Sequence, residues 1–247
     1  MSFPEQHIFN ENPITNLKSL KANAYSGRGL IIGRSPNGQS LIQIYWIGGR
    51  SVNSQNRVFY QDEQNFVRTK AFDESKLTDP SLIIYFPIKH LQDWHIISNG
   101  DQTETIYEAL QNGKSFEDAL NMRKYEPDPP NFTPRISGIG YSSSKHVGYT
   151  LSILKSFQNK PEYALRHYYN YKKSIPGLGH AITTYKSNGN PLPSFYGEPF
   201  VVEIFDDITQ NIDTFWNALN PETRVALLVK MVDLSTKNIT IEIKNKN

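Results

Sequence analysis

Six groups of residues in this chain have the types and spacing that chemistry needs. Arg34 closes an apolar run and leads into the turn Ser35-Pro36-Asn37-Gly38. It reads either as part of a plain hairpin loop or as a guanidinium presented at a turn exit. Arg50 and Arg57 bracket the polar stretch Ser51 to Asn56, directly after Gly48-Gly49. Guanidinium groups hold phosphate in a bidentate fashion, so two on one loop form a candidate phosphate clamp, with a solvated surface loop as the alternative. Ser98-Asn99-Gly100 precedes a helix-like segment. Free backbone N–H groups at a helix start attract anions or carbonyl oxygens, although Asp101 competes there with its own carboxylate. Asn99 can instead bond an uncharged amide.

Glu126 opens a proline-rich stretch that ends at Thr133-Pro134-Arg135. Partial burial there raises a carboxyl toward neutrality and makes it a general base, while a solvated glutamate is the bland alternative. Tyr85 lies in the apolar run Leu82 to Pro87. It reads as a core tyrosine with a satisfied hydroxyl or, if it faces a basic pocket, as a proton donor or acceptor. A last turn, Gly189-Asn190-Pro191-Leu192-Pro193-Ser194, again combines Gly, Asn and Pro. Tight turns flanked by arginines describe a polar site for an anionic small molecule.

Composition narrows the classes. The formal charge is +2 over 247 residues, with Lys and Arg interleaved with Asp and Glu, which argues against a nucleic-acid surface. Tyr168, Tyr169 and Tyr171 beside Arg166, Lys172 and Lys173 resemble a base-stacking platform, but strands favour tyrosine for packing alone. The absence of cysteine removes disulfides, thiolate metal sites and cysteine nucleophiles. The histidines His7, His90, His95, His146, His167 and His180 show no short metal-ligand spacing, so neither metal nor cofactor is expected. No apolar run is long enough for a bilayer, and the first residues lack the features of a signal peptide, so a cytoplasmic protein is expected.

These residues need a scaffold. Residues 1–21 are polar without a sustained period and read as an arm on a single domain spanning 1–247, with regular structure expected from Ala24. Leu30 to Ile32 and Leu41 to Ile47 read as a hairpin around Pro36-Asn37-Gly38. Strands are expected at Phe66 to Phe72, Leu82 to Lys89 and His95 to Ser98, with Asp93-Trp94 in a turn. A helix follows Gly100, with Asp101 and Glu104 at capping-box spacing and Gly113 as its stop. A second helix starts at Ser115, with Met122 a candidate for its inner face, and Glu126 to Pro134 is an extended loop. Strand-like runs return at Arg135 to Tyr141, Val147 to Phe157, Tyr163 to Tyr171 and Leu178 to Tyr185. The third alternates as a strand does, though Pro161-Glu162 also fits a helix start. Asp207 caps a helix carrying Ile208, Ile212, Phe215 and Trp216, and Arg224 to Leu234 pairs with Ile239 to Ile243. The pattern is an α+β domain of two packed, mostly antiparallel sheets covered by helices.

In this order the segments resemble the archaeal-type inosine monophosphate cyclohydrolase family. The likeness rests on Arg28 to Gly38, Gly49-Arg50-Ser51, Asn56-Arg57, Ile96 to Gly100 with Thr103, Tyr125-Glu126 and Thr133 to Ile136. The later run from Gly177 to His180, Thr183-Thr184-Tyr185 and Asn190 to Pro199 is similar to the longer bacterial members. The resemblance implies a four-layer αββα sandwich similar to the N-terminal-nucleophile hydrolases, without their self-processing.

It also implies a reaction, the closure of 5-formamidoimidazole-4-carboxamide ribotide to inosine monophosphate with loss of water. By that likeness Tyr85 and Glu126 are the proton-transfer residues. Arg34, Arg50, Arg57 and Arg135 become candidates for phosphate or oxyanion contacts, Ser98 and Asn99 for the base or carboxamide, and Thr184, Tyr185 and Asn190 for further substrate contacts. The partner implied is a purine nucleotide, in a chain that can form a homo-oligomer, with no cofactor. A purine-nucleotide-binding protein without turnover and an amide hydrolase on the same fold are the competing readings.

Overall fold

The computed structural model describes residues 11–77, 80, 82–143, 147–158 and 160–247. His7 and His146 lie outside them. The first helix, α1 (Pro13–Ala22), falls within the stretch expected to be an arm. Asn12 caps it through bonds from Ile14 N and Thr15 N, and Pro13 stands at its first position, where no N–H is needed. Its inner face holds Leu20 and a buried Asn16, whose amide donates to Val201 O at 2.7 Å. A polar residue on the buried face is what hid the helical period.

Next come β1 (Gly29–Arg34) and β2 (Ser40–Gly48), antiparallel as the hairpin reading requires. The short helix α2 (Val52–Gln55) and β3 (Arg57–Gln61) follow, then β4 (Val67–Ala71), β5 (Ile88–Leu91) and β6 (Trp94–Ser98). Helices α3 (Gln102–Gln111) and α4 (Phe116–Asn121) precede β7 (Arg135–Tyr141), β8 (Tyr149–Phe157) and β9 (Lys160–Tyr171). The chain ends with β10 (Leu178–Thr183), β11 (Phe200–Glu203), α5 (Ile208–Ala218), β12 (Arg224–Asp233) and β13 (Ile239–Asn245).

Two antiparallel sheets result, ordered β11-β10-β1-β2-β12-β13 and β3-β4-β5-β6-β7-β8-β9. Helices α1 and α5 pack on strands of the first, α3 on strands of the second, with α4 against α3. The middle strands of the first sheet are covered on both faces, which is why Leu30, Ile31, Ile32 and Leu41 to Ile47 are apolar without strict alternation. Between the sheets the backbones come close. A Cβ on Gly138 of β7 would lie 2.6 Å from Ile32 Cδ1 and 3.1 Å from Ile97 Cγ2 and Leu151 Cδ2, so a side chain there would require those neighbours to shift. Among the described residues no helix is long and apolar enough to cross a membrane.

Several local expectations change. Residues 82–87 form turns rather than a strand, because Thr69 in β4 captures them: its hydroxyl donates to Ile83 O at 2.6 Å and accepts from Tyr85 N at 2.9 Å. Trp94 already pairs with Leu91, leaving Gln92-Asp93 as the turn. Asp101 makes no side-chain cap to α3, and Met122 is exposed. Ser115 and Asp118 form the capping box of α4, and Asp207 caps α5. The ambiguous run Tyr163 to Tyr171 is strand, part of β9, and β11, at the edge of the other sheet, had no sequence signal.

One polar network sits inside the sheet interface. Lys230 Nζ on β12 lies 3.1 Å from His95 Nδ1, His95 Nε2 lies 3.0 Å from Ser142 Oγ, and Gln43 Nε2 donates to His95 O at 2.9 Å. Burial pushes the Lys230 amine down to about 7 and, reinforced by Lys230, His95 down to about 2. The network is therefore an amine facing a neutral imidazole.

Candidate active site

A cavity of about 300 Å³ opens where the start of β1, the α2 to β3 connection, the proline-rich loop and the end of β10 meet. Arg28, immediately before β1, and Arg57, the first residue of β3, supply two buried guanidinium groups. Glu126 enters from the loop, its backbone N–H held by Thr133 O at 2.9 Å, and its Oε2 accepts from Arg28 Nη2 at 3.0 Å. Burial pushes the Glu126 carboxyl above its ordinary range, and Arg28 and Arg135 act in the opposite direction. A buried carboxyl so balanced can exchange a proton nearer neutrality than a solvated one.

Among the described residues Arg57, unlike Arg28, has no carboxylate partner. Its Nε donates to Ser54 O at 2.8 Å, and its Nη1 is buried without a hydrogen-bond partner among the described residues. A guanidinium stays charged under all ordinary conditions, so one beside a cavity without a carboxylate against it calls for an anion. Arg50, more exposed, reaches Asn188 Oδ1 at 2.7 Å and Gly189 O at 3.1 Å, and lies over the Tyr25 ring at 5.0 Å. Tyr25 in turn stacks on Tyr185 with centroids 5.9 Å apart. Next to them Thr133 Oγ1 lies 2.5 Å from Tyr185 Oη and also bonds Asp128.

The residues singled out from sequence divide into two sets. Arg50, Arg57, Glu126 and Tyr185 line the cavity. Tyr85 is not among its lining residues, but its hydroxyl lies 2.8 Å from Tyr45 Oη and it interacts electrostatically with both Arg28 and Arg57. Arg135 acts on Glu126 from behind: its Nη1 bonds Asp101 Oδ1 at 2.6 Å and Gln102 Oε1 at 2.7 Å. Gly100 keeps that approach open, since a Cβ there would stand 2.7 Å from Arg135 Nη1.

The others are not brought to the cavity. Arg34 folds back on its own turn, with Nε donating to Gly38 O at 2.9 Å. Ser98 Oγ bonds Thr103 Oγ1 at 2.6 Å, and the Asn99 side chain is used by Pro134 O, Ile136 N and Gln102 Nε2. Asn99 thus ties down the end of the loop that carries Glu126. Thr184 Oγ1 accepts from Arg28 N at 3.1 Å and so holds the Arg28 backbone, while Asn190 is exposed. Arg34 shows the local cause most plainly, since a polar residue at a turn satisfies its own backbone first.

Sequence reasoning named no role for Arg28, Tyr25, Asp128 or Thr133. Arg28 had a usable signal, a basic residue just ahead of a fully buried strand, where a charge must meet a partner. Thr133 stood in a turn segment noted for its composition alone, and nothing local could show that it and Tyr25 both meet Tyr185 from distant parts of the chain.

Comparison with known proteins points to one family. A family model described as IMP cyclohydrolase-like protein matches residues 25–237. Two proteins named IMP cyclohydrolase, from Methanococcus maripaludis strains C7 and C6, are 30% and 29% identical to this chain over 129 residues. Those alignments cover 51% of this chain and 62% of each relative, so the chain spans less than two thirds of their length. Every residue lining the cavity falls between positions 25 and 192, inside the stretch that the family model matches.

Proposed function

Because the chain belongs to the IMP cyclohydrolase-like family, we propose that it closes 5-formamidoimidazole-4-carboxamide ribotide to inosine monophosphate, releasing water, as the last step of purine synthesis. The observation that carries this reading is the buried Glu126–Arg28 pair in a cavity also lined by Arg57, a guanidinium with no carboxylate partner among the described residues. Proton transfer and anion binding are the two demands of the reaction. On this reading the fold is a relative of the N-terminal-nucleophile hydrolases that works without a processed nucleophile.

In the reaction the carboxamide nitrogen attacks the formyl carbon and the carbonyl pair moves onto oxygen. That nitrogen gives up one proton, and the resulting carbinolamine loses its hydroxyl, together with the formamido N–H, as water. An amide nitrogen is a weak nucleophile, so holding it against the formyl carbon supplies on the order of 7–11 kcal/mol of the barrier. Glu126 and Tyr85 are the proton-transfer pair, Arg28 steadies the developing oxyanion, and Arg57 with Arg50 holds the phosphate. Arg135 sets the field on Glu126 from behind.

The test is a spectrophotometric ring-closure assay in the presence of a chelator. A rate no greater than uncatalysed closure refutes the proposal. Glu126→Gln and Tyr85→Phe should each lower kcat/KM by about a hundredfold or more with the circular dichroism unchanged. Wild-type rates in both variants refute the role assignment even if the activity is present.

A further inference from the structure

The hydrogen bonds at one side of the cavity run in a fixed direction. Asp128 receives Thr133 N at 2.7 Å on one carboxylate oxygen and the Thr133 hydroxyl on the other. A carboxylate has no proton to give, so the single hydroxyl proton of Thr133 is committed to Asp128. The 2.5 Å contact between Thr133 Oγ1 and Tyr185 Oη must then be donated by the tyrosine. Tyr185 Oη retains acceptor lone pairs that meet no donor among the described residues, and Tyr185 lines the cavity. Its position is held at three further points: Tyr185 N donates to Ser26 O at 3.2 Å, its carbonyl accepts from Thr183 Oγ1 at 2.8 Å, and its ring stacks on Tyr25. Burial pushes the phenol above its ordinary range, so it stays neutral.

We propose that Tyr185 Oη is an obligate hydrogen-bond acceptor that selects ligands presenting an N–H on the base edge, with Thr133 and Asp128 as positioning residues that fix its polarity. The inference rests on the cavity being the purine-nucleotide site argued above. A carboxamide has such an N–H, and so does the lactam edge of hypoxanthine. Adenine offers a lone pair at the same ring position and would set acceptor against acceptor.

Calorimetric titration of the folded protein with inosine monophosphate and adenosine monophosphate tests this. Wild type should prefer the hypoxanthine nucleotide by about tenfold or more, as expected when a buried acceptor is left unpaired. Tyr185→Phe should bring the two within about threefold, chiefly by weakening the hypoxanthine nucleotide. Thr133→Val should strengthen adenosine monophosphate, because the phenol can then turn its proton toward the ligand, whereas Thr133→Ser should keep the wild-type preference. A preference that survives in both Tyr185→Phe and Thr133→Val overturns the assignment, as does its absence from wild type. Failure of both nucleotides to bind refutes the nucleotide reading of the cavity and this inference with it. Binding without preference refutes the acceptor alone and leaves the ring-closure proposal to its own assay.

Discussion

Replacing Lys230 by methionine should make the protein more stable at neutral pH and remove a pH dependence that only the wild type shows. The Lys230 amine is fully buried, and burial lowers it from 10.5 to about 7. Between those values the unfolded chain binds the proton and the folded chain does not, so stability rises with pH across that window. At about 1.4 kcal/mol per pH unit the full effect is on the order of 5 kcal/mol, of which about 2 to 3 kcal/mol falls between pH 7.5 and 9.5. The groups facing the amine are His95 on β6, His90 stacked on it from β5, and, beyond Ser142, Asp93 and Lys237. His90, His95 and His180 are all lowered by burial, so their own contributions are complete below about pH 7.5. Tyr149, Tyr171 and Tyr185 are raised by burial and act with opposite sign only above about pH 10. Lys155, lowered by burial, is common to both proteins and cancels in the comparison. Methionine fills much of the same space but leaves His95 Nδ1 without its partner, at a cost of about 1 to 3 kcal/mol. The variant should therefore be more stable than wild type by about 1 to 3 kcal/mol at pH 7.5 and lose that advantage by pH 9.5. Urea unfolding at several pH values between 7.5 and 9.5 measures this. A wild-type stability flat across that range, or a variant that runs parallel to it, refutes the reasoning.

Three further outcomes follow from the geometry. The pH profile of kcat/KM should carry a limb for Glu126 above the ordinary glutamate value of about 4.3, because burial raises it; if the limb persists in the residual rate of Glu126→Gln, it belongs to another group. Arg57→Met should raise KM about tenfold or more with a smaller change in kcat, and an unchanged KM would show that the orphan guanidinium does not meet the substrate. Asp207→Ala removes the acceptor for Thr209 N and Gln210 N at the start of α5 and should cost about 1 kcal/mol, read as a fall in Tm of about 2–4 °C.

Local rules carried the parts of the fold where chain neighbours decide the outcome. The β1 to β2 hairpin follows from Pro36-Asn37-Gly38, α4 from Ser115 with Asp118, and α5 from Asp207 with apolar residues at helical spacing. They failed where a distant group intervened. Leu82 to Pro87 has strand-like composition, yet the Thr69 hydroxyl of β4 takes its backbone and turns it. Asp101 has the spacing of a cap, yet Arg123 and Arg135 take its carboxylate at 2.5 and 2.6 Å.

The candidate site divides in the same way. Sequence by itself determined the family resemblance, the α+β class and an inventory of arginines, Glu126 and Tyr85 without metal-ligand spacing, because these depend on residue identity and order. Only the tertiary structure decided which polar groups stay available to a ligand. Asn99 and Arg34 have the right chemistry but are consumed by neighbouring backbone, while Arg28, Asp128 and Thr133 acquire a role through contacts that join Arg28 to Glu126 and Thr133 to Tyr185. Desolvation is the physical reason. A buried polar group must find a partner, and which groups remain without one, as Arg57 Nη1 does among the described residues, depends on everything that packs around them.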